Sequence, residues 1–134
     1  MLSWTPEFET GRPRLDAQHQ MLFIYINRLG SHLTITNPTV QDIESVLHCI
    51  GFLENYVTAH FSEEEECMDR CRCPAHLANK KAHAEFMGFF KRFKRRLDHE
   101  GQRPEALREL HEACQLWIQT HIMNIDLQLR GCPE

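Results

Sequence analysis

Four long stretches of this chain repeat apolar residues at alternating steps of three and four, and polar residues interrupt each repeat near one end. The first runs Leu15, His19, Leu22, Ile26, Leu29, Leu33, and the second Ile43, Val46, Ile50, Leu53, Val57, His60, Glu64. The third runs Asn79, His83, Phe86, Phe90, Phe93, Leu97, and the fourth Leu107, Leu110, Cys114, Trp117, His121. That step is the seam of antiparallel helices packed at a shallow angle, and no stretch alternates as a strand does. Pro38, Pro74, Pro104 and Pro133 separate the stretches, since proline suits the first turn of a helix and not its interior. The expected helices span about 16–34, 39–70, 74–100 and 104–130. Asp16 is a candidate N-cap for the first, Thr39 with Asp42 caps the second, and Gly101 and Gly131 follow the last apolar positions of the third and fourth. The expected fold is all-α: an up-down-up-down antiparallel four-helix bundle, one domain over 1–134, with an ordered N-terminal arm over 1–15.

The seams contain residues that a core should exclude. Burying an ionisable group alone costs several kcal/mol, so a set of them needs mutual pairing or a metal. The up-down order sends His19, His60, Glu64, Asn79, His83, His121 and Asp126 to one layer at one end of the bundle. His60/Glu64 and Asn79/His83 are i,i+4 pairs, stacked on one helix face. Imidazoles with carboxylates that can bridge suit a pair of iron or manganese ions, whereas thiolates would point to zinc or iron–sulfur chemistry. His32, His48, His99 and His111 fall off the seams and read as solvated. In the fourth stretch, His121 and Asp126 are five apart, about 140° around a regular helix. The apolar seam also resumes out of step, at Ile125 and Leu129. A single π-turn between His121 and Asp126 would correct both.

Charge and composition exclude other classes. The formal charge is −4, and the one basic cluster (Lys91, Arg92, Lys94, Arg95, Arg96) lies in a helical pattern, where it reads as a solvated face rather than a nucleic-acid site. No apolar run approaches a membrane span and the N-terminus lacks the features of a secretion signal, so a cytoplasmic protein is expected. The six cysteines (Cys49, Cys67, Cys71, Cys73, Cys114, Cys132) then read as free thiols. Cys67, Cys71 and Cys73 lie close together without a CxxC pair, which disfavours a zinc site or redox switch there.

The pattern W…F-x-T-G…L-D-A-Q-H (Trp4 to His19), H-F-x-x-E-E-x-x-M (His60 to Met68), H-x-x-F (His83 to Phe86) and W-x-x-x-H-I-x-x-x-D (Trp117 to Asp126) resembles the hemerythrins, particularly the bacterial ones. The likeness spans nearly the whole chain, and its motifs are specific. It implies a four-helix bundle holding a di-iron centre, two non-haem iron ions with an oxo or hydroxo bridge, that binds O2 reversibly. By that resemblance His19 and His60 would ligate the iron that keeps an open position for O2. His83 and His121 would ligate the other iron, and Glu64 and Asp126 would bridge the pair. Leu22, Phe61, Phe86, Trp117 and Ile122 would wall the O2 pocket. One position departs from the family: where it has a fifth histidine, this chain has Asn79, so either the amide ligates weakly or water takes the place. His76 lies one turn earlier but would reach the site only if the helix start rewound.

The resemblance implies an O2- or redox-sensing domain acting through an attached C-terminal or partner signalling output. The alternatives are a free-standing O2 storage or delivery protein and, third, a di-iron peroxide or nitric-oxide reductase. No evident proton relay stands beside the pocket to favour the enzyme.

Overall fold

The computed structural model describes residues 1–133. Its four long helices are α1 (Pro13–Ser31), α2 (Val40–Arg70), α3 (His76–Leu97) and α4 (Arg103–Asn124), and no strand occurs among the described residues. α1 packs on α2 and α4, and α3 packs on the same two, the ring of neighbours of an up-down-up-down bundle.

The helix ends differ in places from the expected ones. α1 opens at Pro13, because proline at the first helical position needs no N–H partner and already has a helical φ. Asp16 therefore does not cap the helix. Inside the first turn it accepts hydrogen bonds from the Thr10 N–H and the Thr10 hydroxyl, both at 2.8 Å. The stretch expected to continue helically to 34 tightens into a 3₁₀ turn over His32–Thr34. α2 begins as expected, with a reciprocal box in which Thr39 Oγ1 accepts from the Asp42 N–H and Asp42 accepts from the Thr39 N–H. It ends in a Schellman turn: Arg72 sits at φ 54, its N–H donates to the Asp69 carbonyl, and the Cys73 N–H donates to the Met68 carbonyl at 2.9 Å. That turn delays α3 to His76, and α3 stops at Leu97 rather than 100.

The π-turn expected between His121 and Asp126 is not what forms. The Ile125 N–H still donates to the His121 carbonyl at 2.9 Å, but Ile125, at φ −118 and ψ −58, leaves the α path. Asp126–Gly131 continues as a 3₁₀ helix, so α4 ends at Asn124 and not at 130. The break lies where the spacing required one, but the backbone tightens there instead of loosening. At three residues per turn, Asp126 and Leu129 share one face, and both are buried.

Two apolar clusters form. The larger fills the bundle with Leu22, Ile26, Leu29, Ile50, Leu53, Phe90, Leu110 and their neighbours. Each such side chain contributes about 1.5–3 kcal/mol on burial. The smaller cluster, Leu15, Met68, Cys73, Ala75 and Leu129, closes one end of the bundle. Where α1 crosses α4, a Cβ on Gly30 would lie 2.4 Å from His111 Nε2, so this close approach requires glycine. His111 and His32 are consequently half-buried, not solvated, while His48 and His99 are exposed. The arm is ordered: Leu2 is buried and pairs its N–H and carbonyl with the Asn27 amide, both at 2.9 Å. Trp4 and Phe8 meet the Phe23 ring edge-on. Arg12 donates to the Cys132 and Pro133 carbonyls, and Arg130 donates to the Glu7 and Glu9 carbonyls, lacing arm to tail.

Arg72 occupies a left-handed conformation that L side chains resist. Arg72→Gly should raise stability by about 0.5–1 kcal/mol. A denaturant midpoint that does not rise would contradict this reading of the turn.

Candidate metal centre

Between the two apolar clusters lies one polar layer. α1 passes from Leu15 through His19 to Leu22, and α2 from Val57 through His60 and Glu64 to Met68. α3 passes from Ala75 through Asn79 and His83 to Phe86, and α4 with its 3₁₀ extension from Ile118 through His121 and Asp126 to Leu129. All seven polar residues of the layer are buried, with Glu64, Asn79 and Asp126 at 0% exposure.

The carboxylates divide the layer into two halves. Glu64 Oε2 lies 3.0 Å from His19 Nε2 and 3.4 Å from His60 Nε2, while its Oε1 lies 3.2 Å from His83 Nε2 and 4.0 Å from His121 Nε2. Asp126 repeats the division, with Oδ2 at 3.3 Å from His19 Nε2 and Oδ1 at 3.2 Å from His121 Nε2. His83 and His121 point their Nε2 atoms at one another across 3.1 Å. One oxygen of each carboxylate thus faces each pair of imidazoles.

This arrangement fits a pair of cations. Neither Asp126 oxygen has a hydrogen-bond partner, although both are buried and each lies close to an imidazole nitrogen. Orphaned carboxylate oxygens at such depth are costly unless something positive satisfies them. Two groups have ligand atoms close enough to share an ion: Glu64, His83, His121 and Asp126; and His19, His60 and Glu64, with Glu64 common to both. Nitrogen and oxygen donors without a thiolate suit iron or manganese.

The far sides of two imidazoles are held in place. His60 Nδ1 shares a 2.7 Å hydrogen bond with Gln18 Oε1, and Gln18 donates to Glu63, which accepts from Arg14 at 2.7 Å. The Arg14 guanidinium and the Gln18 amide hold the Glu63 carboxyl down at about 2. His83 Nδ1 pairs with Glu65 Oε2 at 2.9 Å. Such outer contacts set the tautomer and orientation of a ligating imidazole. Sequence reasoning missed Gln18, Glu63 and Glu65, though all three are chain neighbours of selected residues. A search for polar residues beside His19 and Glu64 would have found them. The Arg14–Glu63–Gln18–His60 hydrogen bonds also connect the layer with the surface, through an amide that orients His60 rather than relaying protons.

Asn79 uses both ends of its amide. Its Oδ1 lies 2.7 Å from His121 Nε2, and its Nδ2 donates to Glu64 Oε1 at 3.1 Å. His76, half-buried at the first residue of α3, is not among the residues the layer brings together. On the core side, aromatic rings press on the histidines. Phe61 stacks on His83 with centroids 3.7 Å apart, Trp117 stacks on His121 at 4.3 Å, and Phe86 lies 4.4 Å from Trp117. Leu22 and Ile122 belong to the same apolar cluster.

Electrostatics separate His19 from His60. Burial pushes both imidazoles toward the neutral form. For His19 the carboxylates of Asp126 and Glu64 outweigh burial and raise it to about 10, whereas for His60 burial dominates and lowers it. Burial works against the Glu64 charge too, but the close imidazoles of His19, His60 and His83 hold its carboxyl well below the usual range.

Residues 10–130 match the family described as the hemerythrin HHE cation binding domain. The chain is 27% identical to a bacteriohemerythrin of Clostridium acetobutylicum over 127 residues, covering 94% of this chain and 96% of that protein. It is 34% identical to a myohemerythrin of Sipunculus nudus over 129 residues, covering 96% of this chain and 90% of the relative. A hemerythrin of Siphonosoma cumanense is 29% identical over 128 residues, with the same coverage.

Without metal, His19 should carry a proton at neutral pH while His60 does not. A group raised from 6.5 to about 10 stabilises the fold fully below 6.5, and that contribution is lost as pH rises through about 10. Nitrogen NMR of metal-free protein at pH 8 should therefore show a cationic His19 ring and a neutral His60 ring. Two neutral rings would refute the assignment.

Proposed function

The chain belongs to the hemerythrin family of non-haem iron, O2-binding domains, and on that premise we propose that it is a cytoplasmic di-iron domain that senses O2 or redox state. The observation that supports the di-iron site is the division of the layer: Glu64 turns one oxygen to His19 and His60 and the other to His83 and His121, and Asp126 turns one oxygen to His19 and the other to His121. His19 and His60 would hold one iron, His83 and His121 the second, and Glu64 and Asp126 would bridge them. When bound, the iron pair supplies the electrons that reversible O2 uptake requires.

The other residues decide how that chemistry is contained. Leu22, Phe61, Phe86, Trp117 and Ile122 would wall the O2 pocket and keep bulk water and protons out. Gln18 and Glu65 hold the rings of His60 and His83 in the orientation that presents Nε2 inward. Asn79 donates to Glu64 and leaves its half of the layer one imidazole short. A sphere incomplete on that side favours a domain that passes to the ferric state on meeting O2 and hands a change of state to an attached or partner signalling output. Storage or delivery is the second reading, favoured by the near end-to-end match to a bacteriohemerythrin and a myohemerythrin. The family binds O2 and is not one of enzymes.

Protein reconstituted anaerobically with ferrous iron should hold two irons per chain, and His83→Ala should lose them. On exposure to air the visible spectrum should pass to the ferric state without recovering when O2 is removed. Full recovery under argon over many cycles would favour storage, and absence of iron would sink both readings.

Asn79→His should complete the sphere. Changes around a metal site typically alter affinity by 10–100-fold, so iron retention against a chelator should improve by about tenfold and oxidation in air should slow. If both rates stay unchanged, Asn79 does not tune the site.

A further inference from the structure

At the pole beyond the metal layer, the fold gathers four thiols from distant parts of the chain. Cys73 is buried in the small apolar cluster, and Cys67, Cys71 and Cys132 pack against it. Two local structures bring them together. The Schellman turn after α2 folds Cys73 inward onto Met68 and leaves Cys71 half-exposed at the helix cap. The 3₁₀ helix ends at Gly131, and Cys132, its extended C-cap residue, donates its N–H to the Leu129 carbonyl and packs against the small cluster that holds Leu129. Cys132 and Cys71 thus pack against the one small cluster that contains Cys73, the Cys132 thiol donating to the Gln128 carbonyl at 3.5 Å and the Cys71 thiol to the Met68 carbonyl at 3.7 Å. Three thiols do not converge on one point as metal ligands would, and all six cysteines are free.

We propose that Cys132 and the turn cysteines Cys71 and Cys73 form a redox-active thiol set that closes, by exchange with a low-molecular-weight disulfide, into a bond tying the tail after Asp126 to the α2–α3 turn. The cysteines are free thiols, as expected; the proposal adds Cys132, which the sequence reading did not set beside Cys67, Cys71 and Cys73.

The exchange begins at Cys71, which is half-exposed, whereas Cys73 is buried. The Cys71 thiolate attacks one sulfur of the small disulfide, breaking its S–S bond and releasing one small thiol, which takes up the proton Cys71 lost. The Cys132 sulfur then attacks Cys71 Sγ in the mixed disulfide. The protein S–S bond forms, the mixed bond breaks, and the second small thiol leaves with the proton from Cys132. Two protein thiols are oxidised by two electrons and one small disulfide is reduced to two thiols. Cys73, in the cluster that Cys132 packs against, offers the bond a second, more buried position by intramolecular exchange. The Cys132 thiol donates to the Gln128 carbonyl at 3.5 Å, and burial with the neighbouring sulfurs raises it, so it is the slower nucleophile and acts second.

Incubating the whole protein with oxidised glutathione tests this without reference to iron. The thiol count after denaturation should fall from six to four. Tryptic cleavage at Arg70, Arg72 and Arg130 separates the three cysteines, and mapping should find Cys132 linked to Cys71 or Cys73, with reversal by dithiothreitol. Cys132→Ser should slow the paired loss at least tenfold and leave glutathione attached at Cys71, while Cys49→Ser should change nothing. A full thiol count after long exposure, linkage through Cys49 or Cys114, equal rates in Cys132→Ser, or thiols masked by co-purifying zinc would each overturn the proposal.

Discussion

Two carboxylates, four imidazoles and an amide are buried in one layer between two apolar clusters, and the rest of the structure follows from that constraint. A charged layer at this depth is stable only if every charge has a counterpart and water cannot replace it. The large cluster excludes water from one side. The small cluster excludes it from the other, and it is assembled from one residue of each helix or its extension: Leu15, Met68, Ala75 and Leu129. This closing cluster is thin, so the chain reinforces it. Arg12 and Arg130 hydrogen-bond between arm and tail, and Asp16 holds the arm through Thr10. The arm is therefore part of the enclosure of the layer.

The layer is also divided. Because each carboxylate addresses both imidazole pairs, neither half can move without shifting the other. The two halves differ at their edges. His60 is connected outward through Gln18, Glu63 and Arg14, while His83 and His121 lie under Phe61 and Trp117. Asn79 belongs to the aromatic half and hydrogen-bonds Glu64 there. His83 also has an outward polar contact, to the partly exposed Glu65, so the halves differ in the aromatic rings stacked on His83 and His121 rather than in access alone.

One backbone feature serves both ends of this pole. The turn to 3₁₀ geometry at Ile125 lines up Asp126 with the carboxylate layer and Leu129 with the closing cluster, and Cys132 after it packs against that cluster. The same short segment therefore supplies the layer, its cover and the sulfur on the outside of that cover.

Much of this was legible in the residues alone. Helix periodicity and proline punctuation are local physics, so the four helices, their direction and the end that collects the polar seam residues could be read directly. Chain order then assigned His19, His60, Glu64, Asn79, His83, His121 and Asp126 to one layer, because antiparallel helices leave no other arrangement. Where the reading erred, the competing influence was a contact between distant segments. Asp16 looked like a cap and is instead the partner of Thr10. Spacing pointed to a defect after His121 and to a loosened π-turn there, whereas the backbone tightens, and burying Leu129 against Leu15 and Met68 goes with the tightened turn. Tertiary structure also decided which carboxylate oxygen faces which imidazole, both contacts of the Asn79 amide, the roles of Gln18 and Glu65, and the meeting of Cys132 with Cys71 and Cys73. Each depends on the separation and rotation of helices far apart in the chain, and a one-dimensional pattern records neither.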